Sequence, residues 1–232
     1  MGIISDLWKS KEEVAYKAVV SDVCDRLKGR LASENPSANM LLEKCLAVAA
    51  NSLRGALFLT PENFNFKKTL SKEEAETWFD NVCLALVCYS YGFFSVDGQP
   101  EEVQAQFKSF WQGMIDAYNR VFEANATLEI VYYYVPGISE EVRNKYALLS
   151  PEEQGTKMMM ELYIALAGAL LVSIWHVNIE QASLDELRNY RTGDNMGALS
   201  MNAQRIVLLG EGIWQTHLEL IQPILPTLAE QQ

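Results

Sequence analysis

Hydrophobic side chains recur every three or four residues along most of this chain, and this spacing places them on one face of an α-helix. The pattern begins after Ser10 and continues to Leu31. It returns between residues 38 and 59, between residues 71 and 94, and again after Pro100. The sequence therefore predicts a chain that consists almost entirely of helices.

Local signals mark where these helices begin. In the pattern Ser-x-x-Glu, the serine hydroxyl and the glutamate carboxylate each accept a hydrogen bond from a backbone N–H that has no partner inside the helix. Proline suits a first turn because its fixed backbone angle is helical and its missing N–H is not needed there. The last helix is bent or ended by Pro223 and Pro226. Helix starts are predicted at Ser10, Ser71, Pro100, Ser150, Ser183 and close to Ser200.

The segment of residues 130–135 is β-branched and aromatic, which is the composition of a strand. No partner strand is predicted elsewhere, and a single strand leaves its backbone groups without hydrogen bonds. Residues 126–135 are therefore predicted to form a helix that ends at Pro136, with a strand as the alternative. The whole chain, residues 1–232, is predicted to be one all-helical domain. A division into two lobes would fall between residues 136 and 150.

An uncharged run of residues extends from Leu162 to Trp175. A helix needs about 20 predominantly apolar residues to cross a bilayer, so this run is too short to span one. A helix that is apolar on every side is instead buried among other helices. We therefore predict an all-α multi-helix bundle or orthogonal array of roughly seven to nine helices. Its central apolar helix lies near residues 158–180 and packs on the helices that contain residues 78–94 and 206–221.

Composition agrees with this fold and limits the partners. Hydrophobic residues make up 49% and charged residues 21% of the chain, with only seven prolines and thirteen glycines, as expected of a globular protein with long helices. The formal net charge is −11. A field of this sign repels nucleic-acid phosphates and anionic lipids, and no basic stripe opposes it. Nucleic acid is therefore excluded as a partner, and membrane association is not expected.

The four cysteines, Cys24, Cys45, Cys83 and Cys88, each lie inside an apolar periodic segment rather than in a turn. Free cysteines in such positions behave as small hydrophobic residues. The N-terminus has no apolar stretch of the kind that a secretory signal contains. A chain with few cysteines and no C-x-x-C pair is typical of the reducing cytoplasm, so cytoplasmic localisation is expected.

The two histidines, His176 and His217, each lie near a tryptophan, Trp175 and Trp214 respectively. They could bind a metal together with carboxylates such as Glu180, but helical di-iron sites use paired Glu-x-x-His motifs. Serine and tryptophan occupy the positions where those glutamates would stand. Glu180 follows His176 by four residues, which is also the spacing of an ordinary surface pair on a helix. Neither a metal site nor a cofactor is predicted.

Arg188 and Arg191 stand three residues apart in a part of the chain, residues 146–232, that contains only four basic side chains. Two arginines at this spacing can hold a phosphate or a carboxylate with paired hydrogen bonds. The alternative, which the sequence favours, is that they complement the carbonyl end of the preceding helix and its dipole.

No catalytic or phosphate-binding motif occurs in the sequence, whether G-x-S-x-G, H-E-x-x-H, a Walker loop or a dinucleotide-binding pattern. This result favours a protein that is not an enzyme. The leading hypothesis is an interaction or regulatory protein that associates with itself, or with a protein partner, through an apolar helix face.

Three alternatives stay open. The first is a binder of a small hydrophobic ligand in a pocket between helices, with walls formed by Tyr163, Trp175, His176 and Trp214. The second is a helical enzyme that uses His176 or His217 as an acid or base. The third is a protein whose apolar segment inserts into a membrane on a trigger. The candidate ligand-binding residues are Tyr163, Trp175, His176, Glu180, Arg188, Arg191, Trp214 and His217.

Overall fold

The computed structural model describes residues 11–31, 35–59, 69–93, 100–128, 144–173 and 179–220. Seven α-helices and one short 3-10 turn account for most of these residues, and no strand occurs within them. The predicted all-α multi-helix fold is confirmed. The helices are α1 (Lys11–Gly29), α2 (Pro36–Leu59), α3 (Lys72–Phe93), α4 (Glu101–Phe122), α5 (Pro151–Ser173), α6 (Gln181–Asn189) and α7 (Met201–Leu220), with the 3-10 turn at Met196–Ala198.

The predicted helix start at Ser71 is confirmed with both of its side-chain hydrogen bonds. Ser71 Oγ accepts from the backbone N–H of Glu74 at 3.1 Å, and Glu74 Oε2 accepts from the N–H of Ser71 at 2.8 Å. At Ser150 the hydroxyl likewise accepts from the N–H of Glu153 at 3.3 Å. The Glu153 carboxylate, however, accepts from the N–H of Thr192 at 3.1 Å. This glutamate therefore ties α5 to the loop after α6 instead of completing a capping box.

The predicted helix start at Ser183 is wrong. Helix α6 begins at Gln181, so Ser183 lies inside its first turn, where it is only 2% exposed. Glu180 precedes the helix in an extended conformation, and its carbonyl accepts from the N–H of Ser183 at 3.0 Å. Ser-x-x-Glu spacing also joins neighbours within any helix, because residues three apart share a face. The pattern alone therefore does not locate the start.

The apolar helix predicted near residues 158–180 is shorter than expected. Helix α5 ends at Ser173, and residues 179 and 180 lie outside any helix. The backbone at Glu180 has a ψ of 131°, which is extended rather than helical, so the apolar helix does not continue to residue 180. Glu180 is therefore not part of the apolar helix. His176 lies outside the described residues, so its place relative to Glu180 stays a prediction.

Helices α2 and α3 each pack against four other helices, α2 against α1, α3, α4 and α7, and α3 against α1, α2, α4 and α5. Helix α5 packs against α3, α6 and α7. Buried side chains from all seven helices form a continuous core. The central position of α5 stays a prediction, because its side chains from residue 169 onwards lie outside the described residues.

Helices α5 and α7 approach each other closely at Gly210. A Cβ atom at this position would lie 2.5 Å from the Cα of Tyr163, well inside the separation at which two carbon atoms attract. The glycine therefore permits direct backbone contact with α5. Trp214 and His217 follow Gly210 by four and seven residues, so all three share one buried face of α7.

The segment between α4 and α5 bears on two further predictions. Residues 129–143 lie outside the described residues, so the choice between helix and strand there stays open. The single domain and the lobe boundary at residues 136–150 stay predictions for the same reason. In the ranges that the structure describes, no helix combines the length and the apolar character that crossing a bilayer requires.

Candidate functional site

Two buried aromatic groups of the predicted ligand site lie together in the core. The rings of Trp214 and His217 are stacked, with centroids 4.9 Å apart and planes inclined by 26°. Tyr163 is buried on the facing helix α5. The remaining two residues of the predicted apolar pocket, Trp175 and His176, lie outside the described residues. The pocket for a small hydrophobic ligand therefore stays a prediction.

His217 pairs with a serine that sequence analysis did not identify. Its Nε2 lies 3.5 Å from Oγ of Ser90 on α3, and its Nδ1 makes no hydrogen bond within the described part of the chain. Burial lowers the pKa of His217 to about 4, so the ring is neutral at pH 7. Both residues are enclosed in the core. A nucleophile needs access to its substrate, and this pair has none through the described core.

The two arginines, Arg188 and Arg191, line one open cleft of about 960 Å³. The cleft lies between residues 145–150, the start of α5 and the end of α6. It contains four cationic side chains and two acidic ones, although the chain as a whole has a net charge of −11. Three of the four basic residues between positions 146 and 232 line it. The lining residues are Lys145, Tyr146, Leu149, Ser150, Glu153, Lys157, Asp185, Arg188, Asn189 and Arg191.

Lys157, one of the lining residues, caps the carbonyl end of α6. Its side chain is buried, and Nζ donates to the carbonyl oxygens of Arg188 at 2.7 Å and Tyr190 at 2.5 Å. The sequence favours Arg188 and Arg191 themselves for this capping role, and that prediction is wrong for these two carbonyls. A lysine from another helix fills the role, and no local sequence pattern indicates it. The arginine side chains are thereby left for other contacts.

Glu161 is a buried carboxylate in contact with residues that line the cleft, and 7% of its surface is exposed. The hydroxyl of Tyr146 donates to its Oε1 at 2.9 Å. Lys145 Nζ lies 3.4 Å and Arg188 Nε lies 3.5 Å from the same oxygen. Three polar groups from two segments, residues 145–146 and α6, therefore converge on one carboxylate oxygen.

The guanidinium groups of the two arginines have few partners. Arg188 contacts Glu161 only at that long distance, and its buried Nε makes no hydrogen bond. Arg191 is exposed, and in the described part of the chain its side chain has neither a hydrogen bond nor an ion pair. Arg26, by contrast, lies 2.5 Å from Glu76. Arg188 and Arg191 therefore present largely unused donors to the cleft.

The loop that carries Arg191 is fixed to α5. Thr192 bonds through its N–H to Glu153, and its hydroxyl lies 2.7 Å from that of Thr156. The Arg191 N–H donates to Oδ2 of Asp194 at 2.8 Å. Gly193 has a φ of 87°, a left-handed conformation that glycine adopts without strain. The backbone of Arg191 is therefore held in place while its side chain projects from a defined point.

A second cavity of about 270 Å³ lies among α1, α3 and α4, around Asp80. Tyr118 donates a short hydrogen bond to the Asp80 carboxylate, and burial raises the pKa of this carboxyl. The two arginines of this cavity, Arg26 and Arg30, already have partners in Glu76 and Glu123. It therefore offers fewer unused donors to an anion than the larger cleft does.

The described residues contain no group of three or more histidine, cysteine or acidic side chains that could hold a metal ion. The thiols of Cys24, Cys45, Cys83 and Cys88 are free and buried. Burial raises the pKa of each of them.

Comparison of the chain with models of protein families, with curated proteins and with solved structures finds no match.

Proposed function

We propose that this chain is a non-enzymatic binding protein whose cleft recognises an anionic group, a carboxylate or a phosphate, on a partner. The observation that carries this proposal is the pair of guanidinium groups, Arg188 and Arg191, that face one cleft with largely unused donors. The planar guanidinium fork matches carboxylate and phosphate oxygens, and such charge-assisted bonds are about twice as strong as neutral ones.

The electrostatics of Lys157 support the same proposal. Burial lowers the pKa of its ammonium group, and the charges of Arg191 and Lys145 add to that lowering. Glu153 and Asp194 act in the opposite direction. Burial is the largest of these effects, and the attraction of Glu153 is the largest effect of a neighbouring charge. An anion bound near Lys157 would favour its charged form as Glu153 does, because an opposite charge stabilises a buried cation.

The chemistry of the lining residues favours binding over catalysis. Neither histidine nor cysteine lines the cleft, and the hydroxyl of Ser150 already accepts a hydrogen bond at the start of α5. The amine of Lys157, whose pKa is lowered by burial, is held by two backbone carbonyl oxygens. The lining therefore offers donors for an anion rather than a nucleophile.

Titration with citrate and with inorganic phosphate tests this proposal. We expect both anions to shift the amide resonances of residues 188–194 in two-dimensional NMR spectra. Arg191→Gln should weaken binding by about tenfold, because a hydrogen bond to a charged group contributes about 1.5–3 kcal/mol and 1.4 kcal/mol is tenfold in affinity. Lys108→Gln removes an exposed charge of the same sign outside the cleft and should change nothing. If neither anion shifts these amides, the proposal is wrong.

Self-association is a second candidate function, supported by a separate surface. Met201 and Leu208 are 65% and 54% exposed, and seven residues place them on the same side of α7. Sedimentation velocity over a range of concentrations measures it. We expect Leu208→Asp to shift the protein towards monomer, whereas Val14→Asp, at an equally exposed apolar residue on α1, should not. A monomeric wild-type protein at all concentrations would rule self-association out.

A further inference from the structure

We infer that the anionic group belongs to a short acidic segment of a protein partner, one that carries an apolar residue beside its carboxylates. This inference rests on the proposed function, because it names the kind of partner that the cleft binds. Three properties of the cleft support it: its open shape, the apolar residues at its edge, and the distribution of its cations.

The shape of the cleft fits an extended chain better than a small molecule. Pockets for small molecules enclose most of the ligand surface and are lined mainly by apolar side chains. Here the cleft is open, and only two of its lining side chains, those of Tyr146 and Lys157, are buried. The six exposed lining residues are Lys145, Leu149, Ser150, Asp185, Asn189 and Arg191.

Apolar surface adjoins the cations. Leu149 lines the cleft, and its neighbour Leu148 is 100% exposed. A leucine whose whole side chain meets water is unfavourable, and covering it by an apolar group of a partner is favourable. An acidic segment with a leucine or phenylalanine next to its carboxylates would contact both kinds of surface together.

The cations come from separate segments and so match charges that repeat along a chain. Lys145 precedes α5, Lys157 lies within it, and Arg188 and Arg191 stand at the end of α6. Three of the lining residues, Lys145, Tyr146 and Arg188, also approach one oxygen of the buried Glu161, so side chains of this lining already contact a carboxylate inside the protein. A single small anion would meet only part of this set. Charge complementarity of this kind gives specificity to peptide recognition.

Fluorescence anisotropy with synthetic peptides tests the inference. The probe is a fluorescein-labelled peptide of about 12 residues in which glutamate alternates with leucine. Two comparison peptides replace all leucines by serine or all glutamates by glutamine. We expect the glutamate–leucine peptide to bind about tenfold more tightly than the serine version. Burying a leucine side chain that is otherwise exposed contributes a free energy that corresponds to at least this factor in affinity. The glutamine version should not bind measurably.

Two matched variants separate the apolar contact from the anion site. Leu148→Ser should weaken the glutamate–leucine peptide about fivefold and leave citrate binding unchanged, because it removes only apolar contact. Val14→Ser changes an exposed apolar residue on a different helix, α1, and should leave peptide binding unaltered. Arg191→Gln should weaken both the peptide and citrate.

The possible outcomes distinguish failure of this inference from failure of the proposed function on which it rests. If citrate and phosphate bind but the peptide binds no more tightly than citrate, the partner is not an acidic segment and the inference is overturned, while the proposed function stands. If neither the anions nor the peptide bind, both are overturned. Two further results would also overturn the inference. If a phosphoserine peptide without leucine binds more tightly than the probe, the partner is phosphorylated. If Arg191→Gln abolishes self-association, the partner is a second copy of this chain.

Discussion

His217 shows at the level of one residue how the core constrains a titratable group. Its ring is stacked on Trp214, its Nε2 faces the Ser90 hydroxyl, and burial lowers its pKa to about 4. In the unfolded chain the pKa of a histidine is about 6.5. Between these two values the unfolded chain binds a proton that the folded protein does not bind. Protonation of His217 therefore favours the unfolded state.

We expect the free energy of unfolding to fall as the pH is lowered from about 6.5 towards 4, by up to about 3 kcal/mol from His217 alone. The sign follows because the unfolded state binds more protons throughout this window. Urea unfolding at about pH 7, 5.5 and 4.5 measures the effect. The variant His217→Gln cannot titrate, so its stability should depend less steeply on pH. Equal slopes for the variant and the wild type would contradict this assignment.

The candidate site was only partly predictable from the sequence. Residues whose role depends on local spacing could be predicted, whereas residues whose role depends on tertiary contacts could not. Arg188 and Arg191 could be selected from the sequence because their spacing is local and basic residues are scarce around them. Lys157 and Glu161 could not, because their roles depend on how α5 packs against neighbouring segments. Lys157 bonds to a carbonyl 31 residues away, and Tyr146 reaches Glu161 across 15 residues. Hydrophobic periodicity predicts such packing without specifying which polar groups meet.

At the level of helices, the contact between α5 and α7 depends on one small residue. A Cβ at Gly210 would lie 2.5 Å from the backbone of Tyr163, whereas a Cβ at Gly212 on the same helix would meet nothing within 4 Å. The two glycines therefore form a natural pair for comparison. One is required by close packing, and the other only lowers the helix propensity of α7.

We expect Gly210→Ala to destabilise the protein by about 1–3 kcal/mol, because the added methyl group must push two packed backbones apart. Gly212→Ala should instead stabilise it by up to about 1 kcal/mol, since alanine favours the helix and has room there. Chemical denaturation of both variants beside the wild type measures the two changes. A Gly210→Ala variant as stable as the wild type would show that α5 and α7 are not in direct backbone contact.

Helix starts were predictable where the capping chemistry is local. Ser71 and Glu74 exchange the two hydrogen bonds that their spacing predicts. The same spacing failed at Ser183, because the extended backbone at Glu180 sets the start of α6. Side-chain patterns therefore predicted that helices exist and approximately where, whereas the breaks between them depend on backbone conformations that the patterns do not encode.

For the whole molecule, the cationic cleft lies within an acidic protein. The radius of gyration expected for a chain of this length is about 17 Å. At 0.01 M salt the screening length is about 30 Å, so an approaching anion is repelled by the net charge of −11. At 0.15 M salt that length is about 8 Å, and only charges close to the cleft act on the ligand.

The affinity of the glutamate–leucine peptide should therefore rise between about 0.01 M and 0.15 M sodium chloride and then fall towards 1 M. The rise reflects screening of the distant repulsion, and the fall reflects screening of the cleft cations themselves. Anisotropy titrations at a series of salt concentrations measure this dependence. A steady decrease from the lowest concentration onwards would show that the net charge of the protein does not act at the cleft.

Because all four thiols are buried, the rate at which a reagent labels them reports how fast the folded protein opens. Alkylating reagents attack the thiolate, and burial keeps Cys24, Cys45, Cys83 and Cys88 both inaccessible and protonated. Modification must then wait until α1, α2 or α3 separates from the core. With reagent in excess, the rate of labelling at each cysteine becomes the opening rate of the helix that carries it. Three separate rates, with Cys83 and Cys88 of α3 sharing one, would mean that α1, α2 and α3 open independently. One rate shared by all four cysteines would mean that the three helices open as a unit.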